Sequence, residues 1–598
     1  MTMDASGFTK KLVGIVSIGL LCAPPARAQR TAVEAEHGMV VSVYDVASQV
    51  GADVLKKGGN AVDAAVATGL ALAVVYPYAG NIGGGGFMMI HLADGRDVAI
   101  DYRETAPAAA SHDMYLGKNG KPLPRGPGSS TQGWSASGVP GSVAGFALAL
   151  EKYGSHKFAW AELVEPARRL AADGHVVTAF NASRLLVRNE TLAPYADSKR
   201  IFLKDGALRK AGEIFSQPEL AATLARLQKD GPREFYEGET ARLIADGMAK
   251  NGGTITLADL KNYRAVERTP LHGTYRGYDV VTMPPPSSGG VLVLEMLAML
   301  EPFDLAKLGP NSSAKYHLLA EVMRRAFRGR AIYFGDPDFV KVPVAGLLDR
   351  GYLATLMKNF DPAKATPSTA LPDLAPAGWD AAAPKAAAAQ SQDTTHFSIV
   401  DAAGNAVANT YTLNGGFGSG VTIPGTGILM NNEMDDFTAK PGSPNFFGLV
   451  QGEANAVAPG RRPLSSMTPT FVFKDRRLFL VTGAPGGGSI PNGVLQVIVN
   501  VIDHDMPVGF AVEAPRIHHQ WLPDGIGYEP YGLSVDVVEA LRGRGHILEM
   551  RNTYGPEKKV PLSEYYPNDT MTIMIDPKTN LRLGAADPRK PDAKAVGY

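Results

Sequence analysis

The segment Asp393-Thr394-Thr395-His396 contains residue types that could perform nucleophilic catalysis. A threonine hydroxyl is a weak nucleophile unless a base lies beside it. If the chain is cut between Asp393 and Thr394, Thr394 gains a free α-amine, and an amine with a pKa of about 7.7–8.0 is well suited to accept the hydroxyl proton. The alternative is that Thr394 is an ordinary β-favouring residue at the start of a strand. Taken alone, the segment favours that alternative.

Other catalytic signatures are absent or have simpler explanations. The chain has no G-x-S-x-G, no H-E-x-x-H and no Gly-Lys-Ser/Thr phosphate loop. Ser312-Ser313-Ala314-Lys315 matches S-x-x-K, but no S-D-N or K-T-G accompanies it, and serine at a helix start is a common N-cap. His518 and His519 are neighbours on a predicted strand and point to opposite faces, which disfavours a shared metal. The run Gly83–Gly86 precedes a strand, which favours close backbone packing over a phosphate cradle.

The elements around Thr394 are predicted from composition. Residues 395–400 and 406–413 are β-rich runs around Ala403-Gly404-Asn405, which predicts a hairpin that starts at the threonine. More than half of residues 361–392 are Ala or Pro, with almost no large apolar residues, so this segment is expected to be mobile and exposed. A flexible segment that leads directly into a buried strand is an unusual arrangement.

Further elements are predicted from hydrophobic periodicity and turn residues. They are two packed helices between Val46 and Val75 separated by Gly58-Gly59-Asn60, a hairpin of 87–92 and 98–102 around Asp94-Gly95, a mainly helical region over 140–260, and a helix from about Ala314 to Phe334.

Composition limits the class of protein. The chain has 598 residues, with 59 Lys+Arg, 59 Asp+Glu and 45% hydrophobic residues. This balance gives no electrostatic footprint for nucleic acid or a membrane surface, and the length is ample for a folded core. The composition therefore indicates a globular protein.

The first 28 residues have the pattern of a secretory signal peptide. Lys10 and Lys11 precede the apolar run Leu12–Leu21, and Ala26-Arg27-Ala28 is an A-x-A cleavage site. We expect cleavage after Ala28 and a periplasmic or secreted protein. Because Cys22 is the one cysteine, the mature chain would have no disulfide, thiolate metal site or cysteine nucleophile.

From about Gly38 to Tyr598 the sequence resembles the γ-glutamyltransferase (γ-glutamyltranspeptidase, glutathione hydrolase) family of the N-terminal nucleophile (Ntn) hydrolases. Several long motifs occur in one order, which makes the resemblance specific. They are Gly59-Asn60-Ala61-Val62-Asp63-Ala64-Ala65, Gly80-Asn81-Ile82-Gly83-Gly84-Gly85-Gly86-Phe87, Met283-Pro284-Pro285-Pro286-Ser287-Ser288-Gly289-Gly290, Gly335-Asp336-Pro337-Asp338-Phe339, Thr394-Thr395-His396, Asn431-Asn432-Glu433-Met434-Asp435-Asp436-Phe437, Arg462-Pro463-Leu464-Ser465-Ser466-Met467 and Pro515-Arg516-Ile517-His518-His519-Gln520-Trp521.

The resemblance implies a catalytic role for four residues. Thr394 matches the nucleophile, released when the precursor cleaves itself between Asp393 and Thr394. Thr412 matches a second threonine that orients the Thr394 hydroxyl. Gly486 and Gly487 match the backbone oxyanion hole, where the absence of side chains lets N–H groups approach the reacting carbonyl.

The resemblance also implies a site for a zwitterionic γ-glutamyl group. Arg103 matches the arginine that holds the α-carboxylate, a bidentate role suited to guanidinium. Ser465 and Ser466 match serines that hydrogen-bond the same carboxylate. The groups matching those that hold the α-ammonium are Asn414, Glu433 and Asp436.

Two departures from the family pattern concern the edge of the site. Gly488-Ser489 stands where the bacterial relatives have Ser-Arg, next to the oxyanion loop. In the lid-like stretch 441–459, Phe447 stands where those relatives have a gating tyrosine, so acceptor access and the ratio of hydrolysis to transfer are expected to differ. The presence of a lid argues against the acylase branch.

The resemblance therefore implies an α+β protein with an αββα four-layer sandwich, built from two chains of one cleaved precursor. After the signal peptide (1–28), the large subunit would span 29–393 with the mobile 361–392 tail, and the small catalytic subunit 394–598. The two would pair as one domain, act on glutathione or other γ-glutamyl compounds with water, amino acids or peptides as acceptors, and need no cofactor or metal. The alternatives are a glutaryl-cephalosporin acylase on the same scaffold and a catalytically silent protein that binds γ-glutamyl peptides.

Overall fold

The computed structural model describes residues 32–204, 207–379, 394–443, 445, 449, 451–550 and 568–598. The predicted signal peptide, Asp393 and Phe447 lie outside the described residues. Within the described ranges, no helix is both long and apolar enough to cross a lipid bilayer.

Two seven-stranded antiparallel sheets form the centre of the described structure. In spatial order the first sheet contains β1 (Val33–Ala35), β20 (Arg582–Ala586), β19 (Met571–Ile575), β15 (Arg477–Thr482), β14 (Thr470–Lys474), β11 (Tyr278–Thr282) and β10 (Leu271–Tyr275). The second contains β21 (Lys594–Gly597), β2 (Met39–Ser42), β12 (Thr395–Val400), β13 (Ala406–Thr412), β3 (Gly85–His91), β4 (Asp97–Tyr102) and β9 (Val266–Arg268). Smaller sheets pair β5 (His175–Val176) with β8 (Ile214–Phe215), β6 (Leu203–Lys204) with β7 (Ala207–Leu208), and β16 (Ile517–His518) with β17 (Ile526–Tyr528) and β18 (Leu548–Met550).

The helices occupy the outer layers and the surrounding regions. They are α1 (Asp45–Lys56), α2 (Ala61–Val75), α3 (Ser142–Tyr153), α4 (Trp160–Asp173), α5 (Ala179–Leu192), α6 (Ala196–Phe202), α7 (Pro218–Asp230), α8 (Glu234–Glu237), α9 (Glu239–Asn251), α10 (Leu257–Asn262), α11 (Gly289–Leu300), α12 (Leu305–Leu308), α13 (Ser313–Tyr333), α14 (Val344–Leu347), α15 (Arg350–Leu356), α16 (Ile490–Ile502), α17 (Val508–Glu513) and α18 (Val535–Gly543).

The layers follow from the contacts between these elements. Helices α1, α2 and α3 pack on the second sheet, α11 and α17 pack on the first, and β12, β13 and β2 contact strands of the first sheet. Strand β12 is therefore covered on both faces, which explains why all its residues are buried and why its sequence does not alternate. The predicted αββα sandwich is confirmed.

The two sheets combine strands from both sides of residue 393. In the second sheet β12 pairs with β2 on one side and with β13 on the other, and β13 pairs with β3. In the first sheet β11 pairs with β14, and β1 with β20. Neither sheet can form from one part of the chain alone.

The local predictions agree well with the structure. The glycine break separates α1 from α2, where Asn60 caps α2 by accepting hydrogen bonds from the backbone N–H groups of Val62 and Asp63. The two predicted hairpins are β3–β4 and β12–β13, and the long helix is α13. Ser312 is the N-cap of α13, as the structural explanation of its S-x-x-K pattern requires.

Most of residues 361–379 are exposed, as their composition predicts, but a few of them anchor this part of the segment to the core. Ser368 donates its backbone N–H to Asp524 at 2.6 Å and its hydroxyl to the carbonyl of Trp521 at 2.7 Å. Trp379 packs against Tyr333 with ring centroids 5.0 Å apart, and Leu371 is buried. A few anchoring side chains and backbone hydrogen bonds hold this part despite its Ala/Pro composition. Residues 380–392 lie outside the described residues.

Candidate active site

Thr394 lies at the entry to β12, in the middle of the second sheet. It is buried, with 6% of its surface exposed. In the β12–β13 hairpin Thr395 is opposite Tyr411, so one residue further along this register Thr394 comes opposite Thr412. The hairpin thus brings the two threonines of the sequence prediction to the same end of adjacent strands.

Thr412 is held by the glycine-rich turn before β3. Its carbonyl accepts a hydrogen bond from Asn81 Nδ2 at 2.8 Å, and its hydroxyl oxygen accepts one from the Asn414 backbone N–H at 2.9 Å. A Cβ at Gly84 would lie 2.0 Å from the Thr412 carbonyl oxygen, so only glycine allows this approach. The packing role predicted for Gly83–Gly86 is confirmed.

A glycine turn from the first sheet comes close to the same strand end. Gly483, directly after β15, packs so tightly on His396 that a Cβ would lie 2.2 Å from the imidazole ring. The chain then reaches Gly486 (φ +127°) and Gly487 (φ +52°), backbone conformations that favour glycine. Among the described residues, neither of their N–H groups donates a hydrogen bond. These two free backbone donors follow closely after the contact between Gly483 and His396, and they suit the stabilisation of a developing negative charge.

Arg103 forms the centre of a buried charge cluster after β4. Its Nε donates to the Pro463 carbonyl at 3.1 Å, Nη1 pairs with Glu433, and Nη2 pairs with Asp436 at 2.5 Å. Burial alone would lower the pKa of Arg103, but Glu433 and Asp436 raise it above its usual value. Guanidinium has five N–H donors, so two remain for a ligand.

The carboxyl groups around Arg103 bind protons more tightly than usual. Burial raises the pKa of Glu104 to about 7, and it raises the pKa values of Glu433 and Asp436 despite the nearby guanidinium. Glu104 lies 3.9 Å from Arg103 Nη1. Since desolvation and mutual repulsion oppose three charges here, a ligand ammonium group would favour the ionised carboxylates.

Ser465 and Ser466 are connected to this cluster through a second buried arginine. Arg330 of α13 donates from Nε to the hydroxyls of Ser288 at 2.9 Å and Ser466 at 3.2 Å. Ser288 in turn donates its hydroxyl to the Ser465 carbonyl at 2.7 Å. Burial and Arg103 lower the pKa of Arg330 to about 10, while Asp436 opposes that shift.

Asn414 joins the threonine pair to the charge cluster. It has a positive φ of +74° after β13, and its Nδ2 donates to the Asn432 carbonyl at 2.9 Å, next to Glu433. Its Oδ1 is buried and has no hydrogen-bond partner among the described residues. This free acceptor is available to a donor such as an ammonium group.

A sequence model described as gamma-glutamyltranspeptidase matches residues 47–597. The chain belongs to the γ-glutamyltranspeptidase family. Its glutathione hydrolase proenzyme relative from Escherichia coli (strain K12) is 47% identical over 567 residues, covering 95% of this chain and 93% of that protein.

Solved structures agree with the family and the fold. The cephalosporin acylase of Bacillus halodurans superposes with a TM-score of 0.79 at 27% identity, covering 96% of this chain and 98% of that chain. The γ-glutamyltranspeptidase of Helicobacter pylori superposes with a TM-score of 0.54 at 43% identity, covering 55% of this chain and 93% of that chain. The sandwich of this γ-glutamyltranspeptidase family member is therefore that of the Ntn hydrolases.

Sequence reasoning missed several residues that contact the predicted site. Ser288 lies in the motif 283–290, Glu104 follows Arg103 directly, and Arg330 lies in α13, but nothing in their spacing marks any of them as part of a site. A buried arginine inside a long helix is unusual, but burial is a property of the fold. By contrast, His518 hydrogen-bonds Asn492 and Gln520, whereas His519 hydrogen-bonds Asp524. The two adjacent histidines therefore have separate partners, as predicted for structural residues.

One buried group of potential metal ligands occurs among the described residues of this family member, away from the motifs above. It contains His317, Glu321 and His546, whose ligand atoms lie within 4.8 Å of one another. His317 Nδ1 and His546 Nε2 are 2.7 Å apart, closer than the roughly 3.3 Å between ligands in a tetrahedral zinc site. Glu321 already pairs with Arg324 and Arg325. A hydrogen-bonded histidine pair fits these distances and charges better than a metal site.

Proposed function

We propose that this chain is a self-processing γ-glutamyltransferase and glutathione hydrolase whose nucleophile is Thr394. The observation that carries the proposal is the buried cluster of Arg103, Glu433 and Asp436, which presents one cation and two anions beside the Thr394–Thr412 strand end. That charge pattern complements the α-carboxylate and α-ammonium of a γ-glutamyl group.

Maturation would generate the nucleophile. The Thr394 hydroxyl attacks the Asp393 carbonyl, the peptide C–N bond breaks, and an ester between Asp393 and the Thr394 oxygen replaces the amide. Water then hydrolyses the ester to give the Asp393 carboxylate and a free Thr394 with α-amine and hydroxyl. The products are a large subunit ending at Asp393 and a small subunit beginning at Thr394.

Transfer would proceed in two acyl steps. The Thr394 α-amine accepts the hydroxyl proton as the oxygen attacks the γ-carbonyl, and Thr412 holds the hydroxyl in position. The N–H groups of Gly486 and Gly487 stabilise the tetrahedral oxyanion. The leaving amine takes the proton from the α-ammonium, and water or an amino-acid amine then attacks the γ-glutamyl ester by the same path in reverse order.

Recognition would place each charge of the glutamyl group against its complement. The two remaining N–H donors of Arg103 and the hydroxyls of Ser465 and Ser466 would bind the α-carboxylate. The acceptors for the α-ammonium would be Glu433, Asp436 and the free Asn414 Oδ1.

The first experiment tests processing. Intact mass and N-terminal sequencing of the purified protein should show two chains, one beginning Thr394-Thr395-His396. Thr394→Ala should remain one chain without activity, whereas Thr394→Ser should process because it keeps a hydroxyl. An active, uncut wild-type chain would exclude the N-terminal nucleophile mechanism.

The second experiment separates this function from an acylase and from a silent binding protein. A γ-glutamyl anilide and a glutaryl anilide differ only in the α-amino group, which Glu433 and Asp436 would bind. We expect kcat/KM for the γ-glutamyl compound to be at least about 10²-fold higher, because buried acceptors left unpaired are costly. A preference for the glutaryl compound would favour the acylase, and no turnover of either would favour the binding protein.

The proposal includes export and subunit pairing. Sequencing the large subunit from the periplasm or medium should give an N-terminus at Gln29, directly after Ala28. The two subunits should remain associated because each sheet contains strands from both.

A further inference from the structure

We infer that Ser489 and Asn568 are positioning residues that aim the Gly487 N–H at the oxyanion. This inference rests on the proposed function, in which the N–H groups of Gly486 and Gly487 stabilise the tetrahedral intermediate. Neither residue contacts the reacting atoms in this proposal, because both act through the backbone of the glycine turn.

Ser489 holds the carbonyl of Gly486 with two donors. Its hydroxyl donates to the Gly486 oxygen at 2.8 Å, and its backbone N–H donates to the same oxygen at 3.0 Å. Ser489 is 1% exposed, so water does not compete for these bonds.

The orientation of this carbonyl determines the orientation of the neighbouring donor. The Gly486 carbonyl and the Gly487 N–H belong to one planar trans peptide unit and point in opposite directions. Two consecutive glycines with positive φ have wide conformational freedom, and a peptide between them can rotate unless something holds it. Because Ser489 fixes the direction of the Gly486 carbonyl oxygen, it also fixes the direction of the Gly487 N–H.

Asn568 holds Ser489 in turn. Asn568 Nδ2 donates to the Ser489 carbonyl at 2.7 Å and to the Ser489 hydroxyl oxygen at 3.3 Å. Because the hydroxyl oxygen accepts from Asn568, its own hydrogen is left to donate to Gly486. The backbone carbonyl of Asn568 accepts a hydrogen bond from Arg516 Nη2 at 2.6 Å, and Arg516 pairs with Asp587 in the core.

The direction of the Ser489 hydroxyl is not explained by helix capping. Ser489 is the N-cap of α16, a position where serine usually accepts a hydrogen bond from the helix N–H groups. Here its side chain makes no such bond and donates backwards to the glycine turn.

The test compares Ser489→Ala with Ser489→Thr and with a matched control. The control is Thr223→Val in α7, which removes a buried hydroxyl that donates to the backbone carbonyl of Thr426 at 2.8 Å. Initial rates with a γ-glutamyl anilide, expressed per mature small subunit measured by intact mass, give kcat and KM. Because acylation and deacylation both pass through an oxyanion, kcat for Ser489→Ala should fall about 10- to 100-fold with KM within about 3-fold. Ser489→Thr should restore most of the rate.

Asn568 provides an independent test of the same device. Asn568→Asp keeps the shape but removes the donor, and kcat should fall as for Ser489→Ala. In the double variant with Ser489→Ala the losses should be less than multiplicative, because both act on one peptide unit.

The outcomes distinguish this inference from the proposed function. Wild-type turnover supports the function, and its absence overturns that proposal first. With active wild type, an unchanged kcat in Ser489→Ala, or a fall equal to that in Thr223→Val, overturns the inference. A fall in kcat that Ser489→Thr does not restore also overturns it, because the hydroxyl would then not be the cause.

Discussion

At the scale of single residues, the site depends on arginines that remain charged where burial opposes their charge. Arg103 is 0% exposed and keeps its charge through Glu433 and Asp436, while Arg330 is held between serine hydroxyls. Breaking a buried pair is costly because the remaining partner is left uncompensated. In the proposed function these residues would therefore contribute both to the stability of the site and to ligand selectivity.

Replacing Arg103 with lysine should separate charge from geometry. Lysine keeps the positive charge but offers no planar fork to a carboxylate and to both acidic partners. We expect KM for a γ-glutamyl anilide to rise at least about 10-fold, and kcat/KM to fall by about 10²-fold. Steady-state kinetics on the processed protein would measure both.

A matched control is Arg233→Lys in an exposed pair with Glu237. Exposed ion pairs contribute about 0–1 kcal/mol, so KM and kcat should remain near the wild-type values. Equal effects of the two substitutions would contradict the role of Arg103.

At the scale of elements, the hairpin β12–β13 and the glycine turn before β3 position Thr394 and Thr412, the two threonines of the proposed mechanism. The turn works because backbone atoms approach without a Cβ between them, as Gly84 and Thr412 show. Helix α13 contacts the small sheet and α18, with His317 hydrogen-bonded to His546 and Arg324 paired with Asp524, which also binds His519.

Replacing Gly84 with alanine should disturb Thr412. The new Cβ would lie 2.0 Å from the Thr412 carbonyl oxygen, so the strand end must shift. We expect a stability loss of about 1–3 kcal/mol and slower self-cleavage, measured by thermal unfolding and intact mass over time.

Gly543→Ala in α18 is the matched control. A Cβ there meets no atom within 4 Å, and alanine is the better helix former. Its stability should be unchanged or slightly higher. If Gly84→Ala behaved in the same way, the close approach would not be required.

The histidine cluster should make the protein sensitive to acid. Burial lowers the pKa of His546 to about 3 and that of His519 to about 4. In the unfolded chain these groups titrate near 6.5, so below that pH the unfolded state binds protons that the folded state does not. The contribution of these two neutral histidines to the free energy of unfolding is fully present above about pH 6.5 and is lost as the pH decreases. At pH 4.5 the loss is about 2–3 kcal/mol for each histidine.

His546→Gln tests this dependence, since glutamine can still donate to His317. The drop in unfolding temperature between pH 7.5 and 4.5 should be a few degrees smaller than in wild type. The exposed His272→Gln in β10 should leave the drop unchanged. An unchanged drop in His546→Gln would show that His546 does not contribute to acid sensitivity.

The sequence predicted local elements better than long-range contacts. The cap at Ser312 and the helix break at Gly58-Gly59-Asn60 could be predicted because both depend on residues close in the chain. Thr394 could be named as a candidate from its local sequence, but the resemblance was needed to favour it. Arg103 and Asp436 emerged only through the family resemblance, since no spacing rule brings positions 103 and 436 together. Arg330 and Asn568 were missed because their importance arises from burial and from partners far away in sequence. The packing of 361–379 was missed because composition does not reveal single anchors such as Trp379.

At the scale of the whole molecule, the two sheets join the parts of the chain on either side of residue 393. Of the central strands, β2 lies beside β12, and β12 beside β13. A cut before Thr394 would open the chain without removing any of these pairings.

The mature protein should therefore unfold as one unit. Both subunits should elute together in native gel filtration and show a single thermal transition. The uncut Thr394→Ala chain should unfold within a few degrees of the mature form. Separation of the two subunits under native conditions would contradict the shared core.

The pairing of β2 with both β12 and β21 has a consequence for the order of events during synthesis. Residues near position 40 must wait for partners near positions 398 and 596, so the sheet cannot close until almost the whole chain has been made. Contacts so distant in sequence are slow to form. If the proposed cleavage at Thr394 requires the closed sheet, a cut chain is one that has already folded. In a sample of partly cut protein, the uncut fraction at each time would then set an upper limit on the fraction of molecules that are still folding.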